Sequence, residues 1–214
     1  MKVCWVFDVI SPFAYLAFAR LDELPKNVQL QLVPVLLAGI LQHFGQRGPA
    51  EIVSKRRFTY RFALWRARAL GMPMRMPPAH PFNPLAALRL IIAAGSDRRA
   101  VGTVLDAVFR QGRDVSDPAV IGDLARELQV PDPQVALADP ALKQRLRENT
   151  DWAIARGIFG VPTFLIGEEI FWGHDAIDMA LDYLADPQDF YDPAMRAADT
   201  LPVGATRSPG AAKD

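Results

Sequence analysis

The chain has 214 residues, half of them apolar, with 24 basic and 24 acidic side chains and one cysteine. That is enough apolar material for a substantial core in one large domain, or in a domain carrying a sizeable insertion. Balanced charge gives no electrostatic reason for a nucleic acid or an anionic membrane as partner, and a lone cysteine excludes an intrachain disulfide and a cysteine-based zinc cluster.

Met1-Lys2 leads at once into a short apolar strand rather than a leader with a small-residue cleavage site. The longest apolar stretches, such as 33–41, contain Pro34 and Gly39 and fall well short of the roughly 18 residues of a membrane span. A soluble, cytoplasmic protein in a reducing setting is expected. Cys4, flanked by Val3 and Trp5, is expected to be a buried and inert packing residue.

In chain order, residues 2–8 read as a strand, and the spacing of Ala14, Leu16, Ala17, Phe18, Leu21 and Leu24 predicts a helix over 12–24. Val28, Leu30 and Leu32 alternate with Gln29 and Gln31, which predicts a second strand and completes a β-α-β unit. From Leu36 to about Arg156 nothing reads as a strand. Helical patterns punctuated by Pro and Gly occupy 52–70, 84–94, 98–110, 118–128 and 140–156, and Ser116-Asp117-Pro118 and Asp139-Pro140 supply a cap followed by proline. Trp65 and Trp152 fall within helical apolar stripes and are expected in the core. After Gly160, residues 163–166 and 170–172 flank Gly167-Glu168-Glu169 as a hairpin, and a helix is expected from His174 to about Leu184. No internal repeat is evident.

Two stretches almost 150 residues apart carry the chemistry. In Phe7-Asp8-Val9-Ile10-Ser11-Pro12-Phe13-Ala14-Tyr15 a strand turns into a helix with Ser11 at the N-cap and Pro12 at the first helical position. A side chain there faces unpaired backbone N–H groups. In Gly160-Val161-Pro162-Thr163-Phe164 a Val-Pro bond just before a strand reads either as a cis proline, its edge presented for strand addition, or as a trans proline opening a hairpin. Strand, helix and strand before the helical block, with hairpin and helix after it, make an α/β thioredoxin-like fold split by a large all-helical insertion. The expected units are 1–36 with 157–200 (thioredoxin-like), 37–156 (helical insertion) and a disordered tail over 201–214. In that architecture the helix start holds a C-x-x-C pair, and here its two positions are Ser11 and Ala14. A dithiol oxidoreductase is thereby excluded, and any sulfur must come from a ligand.

Five stretches in register over about residues 3–185 resemble the 2-hydroxychromene-2-carboxylate isomerases: residues 7–17, Pro81-Phe82-Asn83 with 85–89, 112–117, 160–164, and Phe171-Trp172-Gly173-His174-Asp175. These are relatives of the kappa-class glutathione transferases within the DsbA-like thioredoxin superfamily. The resemblance implies glutathione as cosubstrate, a small aromatic acid as substrate and a homodimer as the usual assembly. It also implies a cis-trans isomerisation by reversible addition of the glutathione thiolate. Alternatives are a kappa-like transferase or peroxidase, and a non-catalytic glutathione- or peptide-binding module.

Carried over by residue, the resemblance makes Ser11 the group that hydrogen-bonds the glutathione sulfur and Lys55 a partner for one of its carboxylates. Val161, beside Pro162, makes the backbone contacts to the cysteinyl part, and His174 with Asp175 hold the γ-glutamyl end. Phe13, Phe82 and Asn83 fall in the substrate pocket. The alternatives are a plain N-cap for Ser11, a solvated basic face for Lys55 among Arg56, Arg57, Arg61, Arg66 and Arg68, and a helix cap for Asp175. His43, His80 and His174 have no metal-ligand spacing, and no metal is expected. Phe13 and Phe58 replace tyrosine, Phe62 replaces a frequent acidic residue and Gln46 replaces asparagine, which removes polar groups that would orient an acidic substrate.

Overall fold

The structure is a computed structural model that describes residues 1–205; the rest of the tail expected to be disordered, 206–214, lies outside the described residues. Four strands form one mixed sheet in the order β2-β1-β3-β4: β1 Lys2–Phe7, β2 Gln29–Pro34, β3 Thr163–Ile166 and β4 Glu169–Trp172. β1 is central, parallel to β2 and antiparallel to β3, with Cys4 opposite Gln31 on one side and Leu165 on the other.

β1 reads as a continuous apolar run because both faces of the sheet are covered. Alternate side chains go to opposite layers. Val3, Trp5 and Phe7 join Phe164 and Ile166 in a large core, whereas Cys4 and Val6 join Leu165 and Val33 in a smaller one. The large core includes residues from α1 Pro12–Phe18, α4 Leu85–Ala93, α5 Arg98–Leu105, α6 Pro118–Glu127 and α9 Ile177–Ala185. The smaller core lies under α2 Leu37–His43 and α8 Pro140–Ala155, which meet where Gly39 approaches Thr150: a Cβ on Gly39 would lie 3.3 Å from the threonine methyl. The remaining helices are α3 Val53–Ala69, α7 Pro133–Ala138 and α10 Pro193–Asp199. The helices inserted between β2 and β3 therefore contribute to the cores on both faces of the sheet.

Several elements differ from the sequence pattern. The helix expected over 12–24 ends at Phe18, and a 3-10 turn, Leu21–Glu23, follows. Leu24, extended at ψ 139, precedes Pro25, and a residue before proline is sterically driven out of helical geometry. The helix expected over 98–110 changes at Asp106 into a π-turn, Asp106–Arg110, and the Phe109 carbonyl accepts from the Arg75 N–H at 2.7 Å. α2, α7 and α10, of seven residues or fewer, were not expected. Trp65, expected in the core, is 57 % exposed on α3 because the buried face of that helix is lined by Ala63 and Ala67. Cys4 is buried, and burial raises its thiol above the usual range, in keeping with an inert role. No helix among the described residues is long and apolar enough to cross a membrane.

Candidate active site

The site begins at the turn where β1 becomes α1. Asp8 is fully buried, and its carboxyl oxygens accept from the N–H groups of Ile10 (3.1 Å) and Leu37 (2.8 Å). Burial pushes its pKa up to about 7, against the opposing pull of those two N–H groups. The Ser11 N–H donates to the Asp8 carbonyl at 3.1 Å and closes the turn.

Ser11 is buried, with extended backbone at the N-cap, and its Oγ accepts from the Ala14 N–H at 3.4 Å. The same hydroxyl points at the Val161 carbonyl, 3.5 Å away. A contact that long is a weak hydrogen bond, so little is lost when the hydroxyl turns to a ligand. The Val161–Pro162 bond is cis, as one of the two readings anticipated. The Pro162 carbonyl accepts from the Gly173 N–H at 2.9 Å, which attaches the 173–175 segment to the same corner. Gly173 has φ +112, and a Cβ there would stand 2.6 Å from Asp175 Oδ1, so glycine alone fits this bend.

His174 is 5 % exposed and its ring stacks on Phe13, with centroids 5.1 Å apart. Its Nδ1 lies 3.7 Å from Asp175, and its Nε2 is buried with no protein partner. Burial lowers its pKa, opposed by Asp175, which favours the neutral ring. Phe62 lies against both Phe13 and His174 and is stacked between Phe58 and Trp65, each 5.8 Å away. Residues 55, 58, 62 and 65 fall on one face of α3, which places exposed Lys55 in line with this aromatic row.

Contacts thus bring together Ser11, Phe13, Val161, Pro162 and His174, with Asp175 at the exposed rim. Lys55 shares their side of the molecule through α3 but touches none of them. Phe82 lies edge-on to His80, 5.7 Å away, and exposed Asn83 commits its side-chain oxygen to the Leu85 N–H at the start of α4. Sequence reasoning missed a pair behind the turn. The His80 Nε2 donates to the Ile10 carbonyl at 2.7 Å, and the Tyr60 hydroxyl lies 2.7 Å from His80 Nδ1. His80 stands in a Pro-rich connection without metal-ligand spacing, and contacts 70 and 20 residues apart leave no local signal.

An open groove of about 820 Å³ lies elsewhere, along the free edge of β2. Three of its polar side chains are already engaged: Arg98 pairs with Asp22, Arg145 with Glu148, and Asn149 donates to the Pro34 carbonyl. Convergent polar groups open to a ligand define a site better than volume does: the weakly held Ser11 hydroxyl and the unpartnered Nε2 of His174 lie at the same corner.

The model of the DSBA-like thioredoxin domain family matches residues 2–185. A kappa 2 glutathione S-transferase of Caenorhabditis elegans is 27 % identical over 207 residues, covering 86 % of this chain and 92 % of the relative. A 2-hydroxychromene-2-carboxylate isomerase of Pseudomonas putida is 31 % identical over 193 residues, covering 84 % and 92 %. Among solved structures, a 2-hydroxychromene-2-carboxylate isomerase superposes with a TM-score of 0.77 at 23 % identity, covering 94 % of this chain and all of that one. The chain belongs to the 2-hydroxychromene-2-carboxylate isomerase family of DsbA-like thioredoxin-fold proteins. These relatives bear the names of enzymes.

Proposed function

We propose that the protein is a glutathione-dependent cis-trans isomerase. Its substrates are 2-hydroxychromene-2-carboxylate and trans-o-hydroxybenzylidenepyruvate, or a related intermediate of aromatic catabolism. The observation that carries this reading is the Ser11 hydroxyl at the start of α1, aimed at the Val161 carbonyl beside a cis proline, with no cysteine in either C-x-x-C position. This is a thiol-binding corner without a thiol of its own.

The residues present fit glutathione. Ser11 has a donor held only by a long contact, Val161 lies at the edge of a proline that cannot compete as donor, and His174 keeps a buried nitrogen unpaired. Ser11 and the first-turn N–H groups would hold the sulfur, Val161 the cysteinyl backbone, His174 and Asp175 the γ-glutamyl end, and Lys55 a carboxylate. When bound, glutathione supplies the nucleophilic sulfur for reversible addition to a conjugated carbon, the route by which a double bond becomes free to rotate. The Ser11 hydroxyl favours the ionised sulfur by donating to it. The row Phe13, Phe62, Phe58 offers a flat apolar wall to an aromatic ring, with Lys55 at its end for an acidic substituent. Cytoplasmic placement and a homodimer belong to the same reading.

One observation favours a transferase or peroxidase instead: the aromatic row Phe13, Phe62 and Phe58 has no ring hydroxyl to orient a hydroxy acid. Incubation with glutathione and 2-hydroxychromene-2-carboxylate decides between the two. The isomerase reading predicts the trans product with total glutathione unchanged, and consumption of glutathione would replace it with the second.

A further inference from the structure

We propose that His80, oriented by Tyr60, is a positioning residue that clamps the Ile10–Ser11 peptide and so aims the Ser11 hydroxyl; this rests on the thiol-binding reading of the corner. The Ile10 carbonyl of the Asp8–Ser11 turn finds its partner outside the turn. Asp8 takes the N–H groups of Ile10 and Ser11, leaving the Ile10 carbonyl, and that carbonyl accepts from His80 Nε2 at 2.7 Å. A carbonyl only accepts, so Nε2 carries the proton. The Ile10–Ser11 peptide plane is then held at both ends, by the Asp8 carbonyl on its N–H and by His80 on its C=O. Rotation of that plane would carry the Ser11 Cβ with it.

Tyr60 completes the clamp from α3. With Nε2–H committed and burial favouring the neutral ring, Nδ1 is an acceptor, and the Tyr60 hydroxyl 2.7 Å away donates to it. The same hydroxyl lies 2.8 Å from the His80 carbonyl, so its single proton is shared between two acceptors at the ring edge. The Tyr60 ring meets the imidazole edge-on at 5.0 Å, and Phe82 does so at 5.7 Å. The imidazole is therefore fixed on all sides. α1 itself does not depend on the clamp, because the Ala14 N–H also bonds the Ser11 carbonyl at 3.0 Å.

The test reads the ultraviolet thiolate band of bound glutathione, with affinity by calorimetry and folding by thermal melting. His80→Phe keeps an aromatic ring for Tyr60 and Phe82 to pack on and removes the donor. It should fold and bind glutathione within a few-fold, while the thiol pKa rises by about one unit, a loss of thiolate at neutral pH of up to about tenfold. His80→Gln, which retains an N–H donor, should recover much of the band. The double variant Ser11→Ala/His80→Phe should show no less thiolate than Ser11→Ala, since the clamp acts only through Ser11. An unchanged band in His80→Phe, or an additive loss in the double variant, overturns the proposal. If His80→Phe fails to fold, Tyr60→Phe carries the test with a smaller loss expected, and no loss overturns it. Absence of a thiolate band in the unmodified protein would instead overturn the thiol-binding reading, and the clamp with it.

Discussion

Ser11 uses one oxygen in two ways, as acceptor from the Ala14 N–H and as donor toward the Val161 carbonyl, and replacing it separates the two. Ser11→Ala should cost about 1 kcal/mol of stability as a lost cap. If the hydroxyl holds the sulfur, turnover falls by about 100- to 1,000-fold, or ~2.7–4 kcal/mol in the barrier, while glutathione affinity changes little. Equal turnover in wild type and variant would reduce Ser11 to a cap.

Asp8 makes a prediction in pH. Its pKa rises from the ordinary 3.8 to about 7 on folding because the buried carboxylate loses its hydration. The native state therefore holds this proton more tightly than the unfolded chain. The resulting stabilisation is complete below about pH 4 and is lost as pH rises through 7, a span of about 4 kcal/mol at most. The stability of wild type minus that of Asp8→Asn, from urea unfolding, should fall between pH 5 and pH 8. A constant difference would mean that Asp8 is already ionised at pH 5.

At the scale of elements, α3 is the most unusual segment. It carries six basic side chains and no acidic one, and none of the six makes an ion pair among the described residues. One face presents Lys55, Phe58, Phe62 and Trp65, and Phe62 alone reaches Phe13 and His174. Phe62→Ala should raise KM for an aromatic substrate by about 5- to 30-fold, or ~1–2 kcal/mol, with glutathione affinity unaltered. A change in glutathione affinity with KM untouched would put the tripeptide, not the aromatic ring, on this face.

The same helix shows what sequence can carry. Its extent is legible to within a residue from periodicity, and the Ser11 corner from its N-cap and proline, because both are local patterns. Trp65 is misplaced because the stripe 58, 62, 65 is apolar yet faces outward, and composition does not say which apolar stripe is covered. α2, α7 and α10 are too short to show a period. The Tyr60–His80–Ile10 chain is tertiary throughout, and no window contains two of its members.

Across the whole molecule, two cores on opposite faces of the sheet hold the ends of β1 and β3 in register, and both key stretches emerge from that junction: Ser11 after β1, Val161-Pro162 before β3. A ligand that bridges them couples its binding to global stability. Reduced glutathione at 100 times its Kd should add about 2.7 kcal/mol and raise the melting temperature accordingly. Absence of a shift at millimolar glutathione, with the protein folded, would remove glutathione as the ligand of this junction.

The most direct test is a calorimetric titration of wild type and Ser11→Ala with reduced glutathione at neutral pH, in two buffers of different ionisation enthalpy. We expect one glutathione per chain in both proteins, with more proton release in wild type than in Ser11→Ala, the signature of a thiol ionised by that hydroxyl. Absence of binding, or equal proton release in the two proteins, would contradict the account.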